Sequence, residues 1–147
     1  MIWPFRKKQP PVPRRKLDVE TVRMLLDKRI AENKQSNFKA YWTKQTMALA
    51  TVKDVEEASE KSFSPWQKDR WECEDEARSL IDSAQRKAAN EGCSLALGIV
   101  FADPPSRFQE AERHVYVWIV SGQGIDFYDP TARRWCECPQ NIYFSLL

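Results

Sequence analysis

The feature that most constrains this chain is a pair of apolar runs separated by a glycine-containing turn. Residues 114–120 read His-Val-Tyr-Val-Trp-Ile-Val, and a Ser-Gly-Gln-Gly segment separates them from Ile-Asp-Phe-Tyr-Asp at 125–129. β-branched and aromatic residues on both sides of a short turn predict a β-hairpin, with strands at 114–120 and 124–128. A hairpin in this half of the chain predicts an antiparallel sheet.

Further elements of this half follow from local patterns. An apolar run at 94–101 predicts a central strand, 102–113 with its two prolines predicts a loop, and 140–146 predicts a last strand at a sheet edge. Small apolar side chains recur on one face of residues 73–90, which predicts a helix, and Gly92 can end it.

The preceding region is predicted to be helical. Apolar residues at helical spacing predict one helix from 17 to about 33, capped by Asp18, and a second from about 37 to 60. Neither contains proline, so an αα-hairpin is the simplest arrangement. Helices followed by an antiparallel sheet predict an α+β fold with one central helix packed on the sheet. The apolar positions of the first helix are Val22, Leu25, Leu26 and Ile30.

Length predicts one compact domain with three parts. We expect a basic, proline-rich flexible tail at 1–16, a helical segment at 17–62 and a core at 63–147. With 23 basic and 21 acidic residues the net charge is only +2, which gives no general electrostatic case for nucleic acid. No apolar run can span a membrane and no signal peptide is visible, so free thiols and a cytoplasmic location are expected.

The N-terminal tail is the local exception to this charge balance. Many prolines and few large apolar residues favour an extended, mobile segment. Such a tail can serve solubility alone, or it can be a basic arm that makes a weak contact with phosphate, anionic lipid or an acidic partner. Its basic residues are Arg6, Lys7, Lys8, Arg14, Arg15 and Lys16.

Three residues of the core occur in the order of a thiol-dependent catalytic site. Cys73 begins the predicted helix, His114 begins a strand and Asp129 ends the next strand. A nucleophilic cysteine needs a helix N-terminus or an imidazolium to hold its thiolate, and the histidine needs an orienting carboxylate. Each also has a structural explanation, namely a buried thiol, a half-exposed histidine and Asp-Pro turn chemistry. Asp126 is the competing carboxylate and is expected to face the other way.

The same residues carry a resemblance to a known family. The run at 73–77, Cys-Glu-Asp-Glu-Ala, resembles the Cys-x-Asp-x-Ala segment of bacterial and phage transglutaminase-like (papain-like) cysteine proteins. His114, an apolar strand, a glycine turn and the Asp-Pro-Thr at 129–131 are similar to that family's histidine strand and following turn. The match covers about residues 65–135. It implies a thiol-dependent hydrolase or acyltransferase that needs no cofactor and acts on an amide, peptide or ester carbonyl of a protein or peptide.

Other residues near these motifs have more than one explanation. Gln67 can supply an oxyanion amide, as glutamine does in papain-like enzymes, or it can close a capping box with Ser64. Asp75 matches the family's aspartate and is expected to bond either backbone donors near the helix start or a partner on a neighbouring loop. Three tryptophans are expected to line the site: Trp66, Trp71 and Trp135.

Two alternatives accompany the catalytic prediction. Cys136 and Cys138, with Cys93 and His114, are a conceivable zinc set, but one intervening residue is poor geometry for two sulfurs on one ion, so no metal is expected. The acidic residues around Cys73 favour the other alternative. In it the chain is a catalytically silent scaffold of the same architecture that serves as a protein-binding or structural module.

Overall fold

The computed structural model describes residues 14–31, 40–41, 46–68, 70–103 and 114–146, and these ranges contain three helices and eight strands. The helices are α1 (Val19–Ala31), α2 (Val52–Ser62) and α3 (Cys73–Asn90). The strands are β1 (Lys16–Asp18), β2 (Ala40–Tyr41), β3 (Thr46–Ala48), β4 (Leu97–Asp103), β5 (His114–Ser121), β6 (Gly124–Asp129), β7 (Arg134–Cys136) and β8 (Gln140–Leu146). The fold is α+β, as the sequence predicts.

The main sheet has six strands in the order β2-β8-β4-β5-β6-β7. All neighbours are antiparallel except β2 and β8, which are parallel. β5 and β6 form the predicted hairpin, in which Val117 lies opposite Tyr128 and Ser121 opposite Gly124. β1 and β3 form a separate two-stranded antiparallel sheet.

Each face of the six-stranded sheet has its own core, because side chains alternate along a strand. Val115, Val117 and Ile119 of β5 face a core to which α2 and α3 contribute mostly alanines, so these helices can approach the sheet closely. The opposite core contains Val22 and Leu26 of α1 together with much larger sheet residues. These larger residues include Tyr116, Trp118 and Phe127.

Helix α3 has the bounds that the sequence predicts. At its N-terminus the Asp75 carboxylate accepts a hydrogen bond from the backbone N–H of Glu72 at 3.0 Å, which is the first of the two roles expected of Asp75. At its C-terminus Gly92 has φ +78°, and its N–H donates to the carbonyl of Ala89 at 3.0 Å. Glycine adopts this left-handed conformation without steric cost and therefore ends the helix.

The predicted αα-hairpin is wrong. Residues 46–48 form β3, and α2 begins only at Val52, after Thr51, whose hydroxyl accepts from the backbone N–H of Asp54 at 3.1 Å. The segment pairs as a strand because the backbone N–H of Ala48 bonds the carbonyl of Ser94 at 2.7 Å. α1 and α2 then pack on opposite faces of the sheet rather than on each other.

The first predicted helix is present with a shorter range. Asp18 caps it as expected, since its carboxylate accepts from the backbone N–H of Thr21 at 2.8 Å. Val22 and Leu26 are buried, but Leu25 is 38% exposed, because one step along a helix rotates it about 100° from its neighbour. The side chain of Ile30 lies outside the described residues, as do residues 32–39.

The tail boundary at residue 16 is also wrong. Arg14 donates to carboxylates of two other elements, and Lys16 begins β1, so the ordered domain starts before residue 16. Arg14 is therefore not available for the predicted anionic contact. The rest of the predicted basic arm, residues 1–13, lies outside the described part of the chain.

Three further details of the fold differ from the prediction. β8 has the expected bounds but is not an edge strand, because β2 pairs with it. β4 extends to Asp103, so the predicted loop starts later, and 104–113 lie outside the described residues. Residues 63–66 are not helical and Gln67 pairs with Trp71 in an isolated bridge, so Gln67 closes no capping box.

Within the described ranges, no helix combines the length and apolarity needed to cross a bilayer.

Candidate active site

The three residues of the predicted catalytic site come together at one end of the sheet. β5 and β6 are antiparallel, so His114 at the start of β5 and Asp129 at the end of β6 lie at the same end. Cys73 is the first residue of α3, which packs on β4 and β5. The imidazole of His114 hydrogen-bonds with the Asp129 carboxylate, and Cys73 lies close enough to this ring to raise the pKa of the imidazole.

The carboxylate partner is held in a defined orientation. His114 Nε2 lies 2.9 Å from Asp129 Oδ1. The same Oδ1 accepts from the backbone N–H groups of Thr131 and Ala132, both at 3.1 Å, so the turn after β6 fixes the carboxylate. The competing Asp126 bonds the Ser121 hydroxyl at 3.2 Å instead. Because Nε2 is used by Asp129, Nδ1 is the nitrogen left to contact the thiol.

The electrostatics favour a charged imidazole. Burial of the ring is the largest influence and opposes protonation, but hydrogen bonds with Asp129 and Cys73 outweigh it and raise the pKa of His114 to about 9. Burial likewise opposes ionisation of Asp129, yet His114 and the Thr131 and Ala132 amides hold the pKa of this carboxyl below its usual value. At neutral pH the pair is therefore imidazolium and carboxylate.

Two neighbours of the pair stay neutral. The ring of Tyr116 meets the imidazole edge-on, with centroids 4.9 Å apart. Burial and the Asp129 charge raise the pKa of Tyr116, so its phenol stays protonated. Burial and Asp129 also raise the pKa of Cys136 to about 12, so this nearby thiol does not compete as a nucleophile at neutral pH.

A buried carboxylate organises the segment that leads to Cys73. Glu76 is only 2% exposed and accepts from the indole N–H of Trp71 and from the backbone N–H of Ser64, the latter at 3.1 Å. Trp71 and Gln67 exchange backbone hydrogen bonds of 2.7 and 2.8 Å. Glu76 therefore ties residues 64–71 to the first turn of α3. The sequence signal for this role was slight, since Glu76 was one acid among several.

The other predicted site residues are less closely tied to the triad. Gln67 is exposed, and its place near the helix start is set by the bridge to Trp71. Trp66 lies on the surface, 54% exposed. Trp135 is half-buried against Tyr128, with ring centroids 5.0 Å apart, and its indole N–H donates to Glu56 at 3.1 Å.

Across the described residues, no group of three or more His, Cys, Asp or Glu side chains is arranged to hold a metal ion. All four cysteines are free thiols. The cysteines of the conceivable zinc set donate instead to separate backbone carbonyls: Cys93 to Ala88, Cys136 to Phe127 and Cys138 to Pro139.

Comparison with known proteins adds a similarity of fold. No family model matches the chain, and no curated protein matches its sequence. Among solved structures it is similar to one described as "PSL1a-E64 complex", with 22% sequence identity and a TM-score of 0.66 over 90% of this chain. The chain spans about half of that protein chain, 51% of its length. At this identity the similarity shows a shared fold.

Proposed function

We propose that the chain is a thiol-dependent hydrolase or acyltransferase of transglutaminase-like, papain-like type, acting on an amide, peptide or ester carbonyl. One observation carries this proposal, namely the imidazole of His114, which hydrogen-bonds with Asp129 and has its pKa raised by both Asp129 and Cys73. A histidine held by an acid and close to a thiol matches the nucleophile–base–orienter arrangement of covalent catalysis.

In the first half of the proposed reaction, the sulfur of Cys73 attacks the carbonyl carbon. A sulfur–carbon bond forms and the carbonyl electron pair moves onto oxygen. The backbone N–H of Cys73 can donate to this oxyanion, since the first amides of a helix have no acceptor within the helix. The side-chain amide of Gln67 is the second candidate donor. The carbon–leaving-group bond then breaks, and the imidazolium of His114 gives its proton to the departing amine or alkoxide.

In the second half, water or an acceptor nucleophile attacks the thioester carbon. His114, now neutral, takes a proton from this nucleophile, and the bond to Cys73 sulfur breaks. When water is the nucleophile, the product is a carboxylic acid. When another acceptor is the nucleophile, the acyl group is transferred to it. Asp129 stays ionised throughout and stabilises the imidazolium, which agrees with the lowered pKa of its carboxyl.

The solved structure of similar fold suggests E64 as a probe for the thiol of Cys73. That protein was solved in a complex with E64. We therefore expect E64 to modify or bind this chain at Cys73. A protein or peptide is the proposed substrate class.

The test compares two thiols at opposite ends of α3. Cys73 and Cys93 are both half-buried and both pack against the same core, but Cys73 is the one that helps to raise the pKa of the His114 imidazole. A neighbouring imidazolium favours the reactive thiolate form of a cysteine. Iodoacetamide should therefore alkylate Cys73 faster than Cys93 at pH 6.5, by about tenfold or more, measured by peptide mass mapping.

The His114→Ala variant is the control for this experiment. It should remove the advantage of Cys73 and leave alkylation of Cys93 unchanged. Equal rates for the two thiols in the wild-type chain would contradict the proposal. Fast alkylation of Cys73 with no turnover of any ester, amide or peptide would instead support the silent scaffold.

A further inference from the structure

One face of α2 is directed at the strand pair that carries Asp129 rather than at α3. Glu56, Ser59 and Phe63 are spaced three and four residues apart, so they follow one another along one side of the helix and its C-terminal cap. We call these three residues the α2 latch. Each contacts a different residue of β6, β7 or the turn between them.

The three contacts of the α2 latch differ in chemistry. The Glu56 carboxylate accepts from the indole N–H of Trp135 at 3.1 Å. The Ser59 hydroxyl accepts from the phenol of Tyr128 at 3.0 Å, in a buried hydrogen bond. The guanidinium of Arg133 lies over the ring of Phe63, with Cζ 4.8 Å from the ring centroid. The three partners are Tyr128, Arg133 and Trp135, and they surround the turn at both ends.

This turn, residues 129–133, is also what orients the carboxylate. Asp129 Oδ1 accepts from the amides of Thr131 and Ala132 as well as from His114. Arg133 completes the turn with φ 55°, a conformation that non-glycine residues adopt only when the surroundings hold them there. Contact with Phe63 is one such restraint.

The remaining contacts of α2 join it to α3. Val55 and Ala58 are in the core shared with α3, and Glu57 pairs with Lys87 of α3 at 2.6 Å. The helix therefore has one side that joins α3, which carries Cys73, and another that joins the Asp129 turn. Through α2, the nucleophile and the acid are fixed relative to each other although no strand or helix contains both.

We propose that the α2 latch positions Asp129 on His114, and so sets how strongly the imidazole holds its proton. This inference rests on the proposed function in one respect, since the proposed function makes the His114 imidazolium the catalytic acid. Glu56, Ser59 and Phe63 act through Asp129 and are positioning residues.

The test uses His114 as its own reporter, because it is the only histidine in the chain. Its imidazole proton signals in an NMR titration report the pKa, which should be about 9 in the wild-type chain. The Glu56→Ala/Arg133→Asn double variant removes two latch contacts, and asparagine tolerates the left-handed backbone at 133. It should lower the pKa of His114 by about one unit.

A matched control changes the same residue types on the other side of the helix pair. The Glu57→Ala/Arg86→Asn variant removes the exposed pairs with Lys87 and Asp82, and it should leave the pKa of His114 unchanged. If the latch double variant does not fold, Arg133→Asn alone carries the same test.

A second arm separates positioning from general destabilisation. In the Asp129→Asn background the latch substitutions should have no further effect on the pKa of His114, because they act only through that carboxylate. An unchanged pKa in the latch variant, or an equal drop in the Asp129→Asn background, would overturn the inference. A latch effect of the expected size together with slow alkylation of Cys73 would leave the inference standing and count against the proposed function alone.

Discussion

The two ends of helix α3 each lie beside a cation held by carboxylates, and the two clusters differ in their last partner. At the C-terminal end Arg14 donates through Nε to Glu91 at 2.8 Å, and through its two terminal nitrogens to Asp54 at 2.5 and 2.8 Å. At the N-terminal end His114 hydrogen-bonds with Asp129, and Cys73 helps to raise the pKa of the imidazole. We refer to these as the Arg14 cluster and the His114 cluster.

Burial does not distinguish the two clusters. The side chains of Arg14 and His114 are 18% and 23% exposed, and those of Asp54 and Asp129 are 7% and 16% exposed. In both, burial of the carboxyl opposes ionisation, and hydrogen bonds to the cation hold its pKa below the usual value. Similar surroundings therefore produce similar ion pairs.

The difference lies in what else the cation contacts. Every nitrogen of the Arg14 guanidinium donates to a carboxylate or, for Nη1, also to the Leu49 carbonyl at 3.3 Å. Carboxylate and carbonyl acceptors are not nucleophiles in this setting, so these hydrogen bonds only stabilise the fold. The imidazole instead has a thiol as its neighbour, and the reactivity of a thiol depends on the charge beside it. A charge cluster becomes a candidate site when one of its partners is itself reactive.

Removal of the Arg14 guanidinium should have the largest effect on stability. Arg14→Ala leaves the Asp54 and Glu91 carboxylates without their cation, and we expect the free energy of unfolding to fall by about 2–4 kcal/mol. Urea denaturation monitored by tryptophan fluorescence measures this. The ratio of alkylation rates of Cys73 and Cys93 should not change.

The matched control for this loss is Arg23→Ala on α1. Arg23 pairs with Asp27 at 3.9 Å, and both side chains are more than half exposed. Screened pairs of this kind contribute roughly 0–1 kcal/mol. Equal effects for the two arginines would mean that the Arg14 cluster is not a structural tie.

The pH dependence of stability should separate the two clusters next. The pKa of His114 is raised in the folded chain from 6.5 to about 9. Its stabilisation is therefore fully present below pH 6.5 and lost as the pH rises to about 9. After allowance for solvent screening, the loss should be about 1–2 kcal/mol. The pKa of Arg14 is raised further above neutrality, so its cluster contributes no change over this range.

The measurement is the difference in unfolding free energy between the wild-type chain and Asp129→Asn, taken at pH 6 and pH 9. Subtraction cancels groups that titrate equally in both chains. The difference should shrink as the pH rises. The corresponding difference for Arg14→Ala should stay constant, and the same slope for both variants would refute the distinction.

The parts of this molecule that sequence predicts well are those with local patterns. α3 and the β5–β6 hairpin have nearly the predicted bounds, because an apolar stripe, a stop at Gly92 and a glycine turn are all contained within short segments. The order of Cys73, His114 and Asp129 along these elements was sufficient to name the residues that the structure brings together.

The parts that sequence misses depend on contacts between distant segments. Residues 46–48 fit a helical pattern, yet they pair with β1 and bond the Ser94 carbonyl, so tertiary hydrogen bonding overrides local preference. The α2 latch joins residues about 70 positions apart, such as Ser59 and Tyr128, and no periodicity reveals such a pair. Glu76 is similar, since only its burial distinguishes it from neighbouring acids.

The smallest effect is expected at the C-terminal stop of α3. A Cβ at residue 92 would meet no atom within 4 Å, so Gly92→Ala costs only the strain of φ +78°, about 1 kcal/mol. Gly122→Ala is the matched control, since its Cβ also meets nothing and its φ is not in the left-handed range. Thermal unfolding should show a lower midpoint temperature for Gly92→Ala. The midpoint of Gly122→Ala should be almost that of the wild-type chain.

The same variant tests whether the two ends of α3 are independent. Cys73 lies about 27 Å along the helix from residue 91, at a rise of about 1.5 Å per residue. Its own end is held by Asp75 and by the contacts of Glu76 with Trp71. A frayed C-terminal turn should therefore leave the alkylation rate of Cys73 unchanged. A slower rate in Gly92→Ala would mean that the thiol depends on the whole helix, and the contrast between the two clusters would no longer hold.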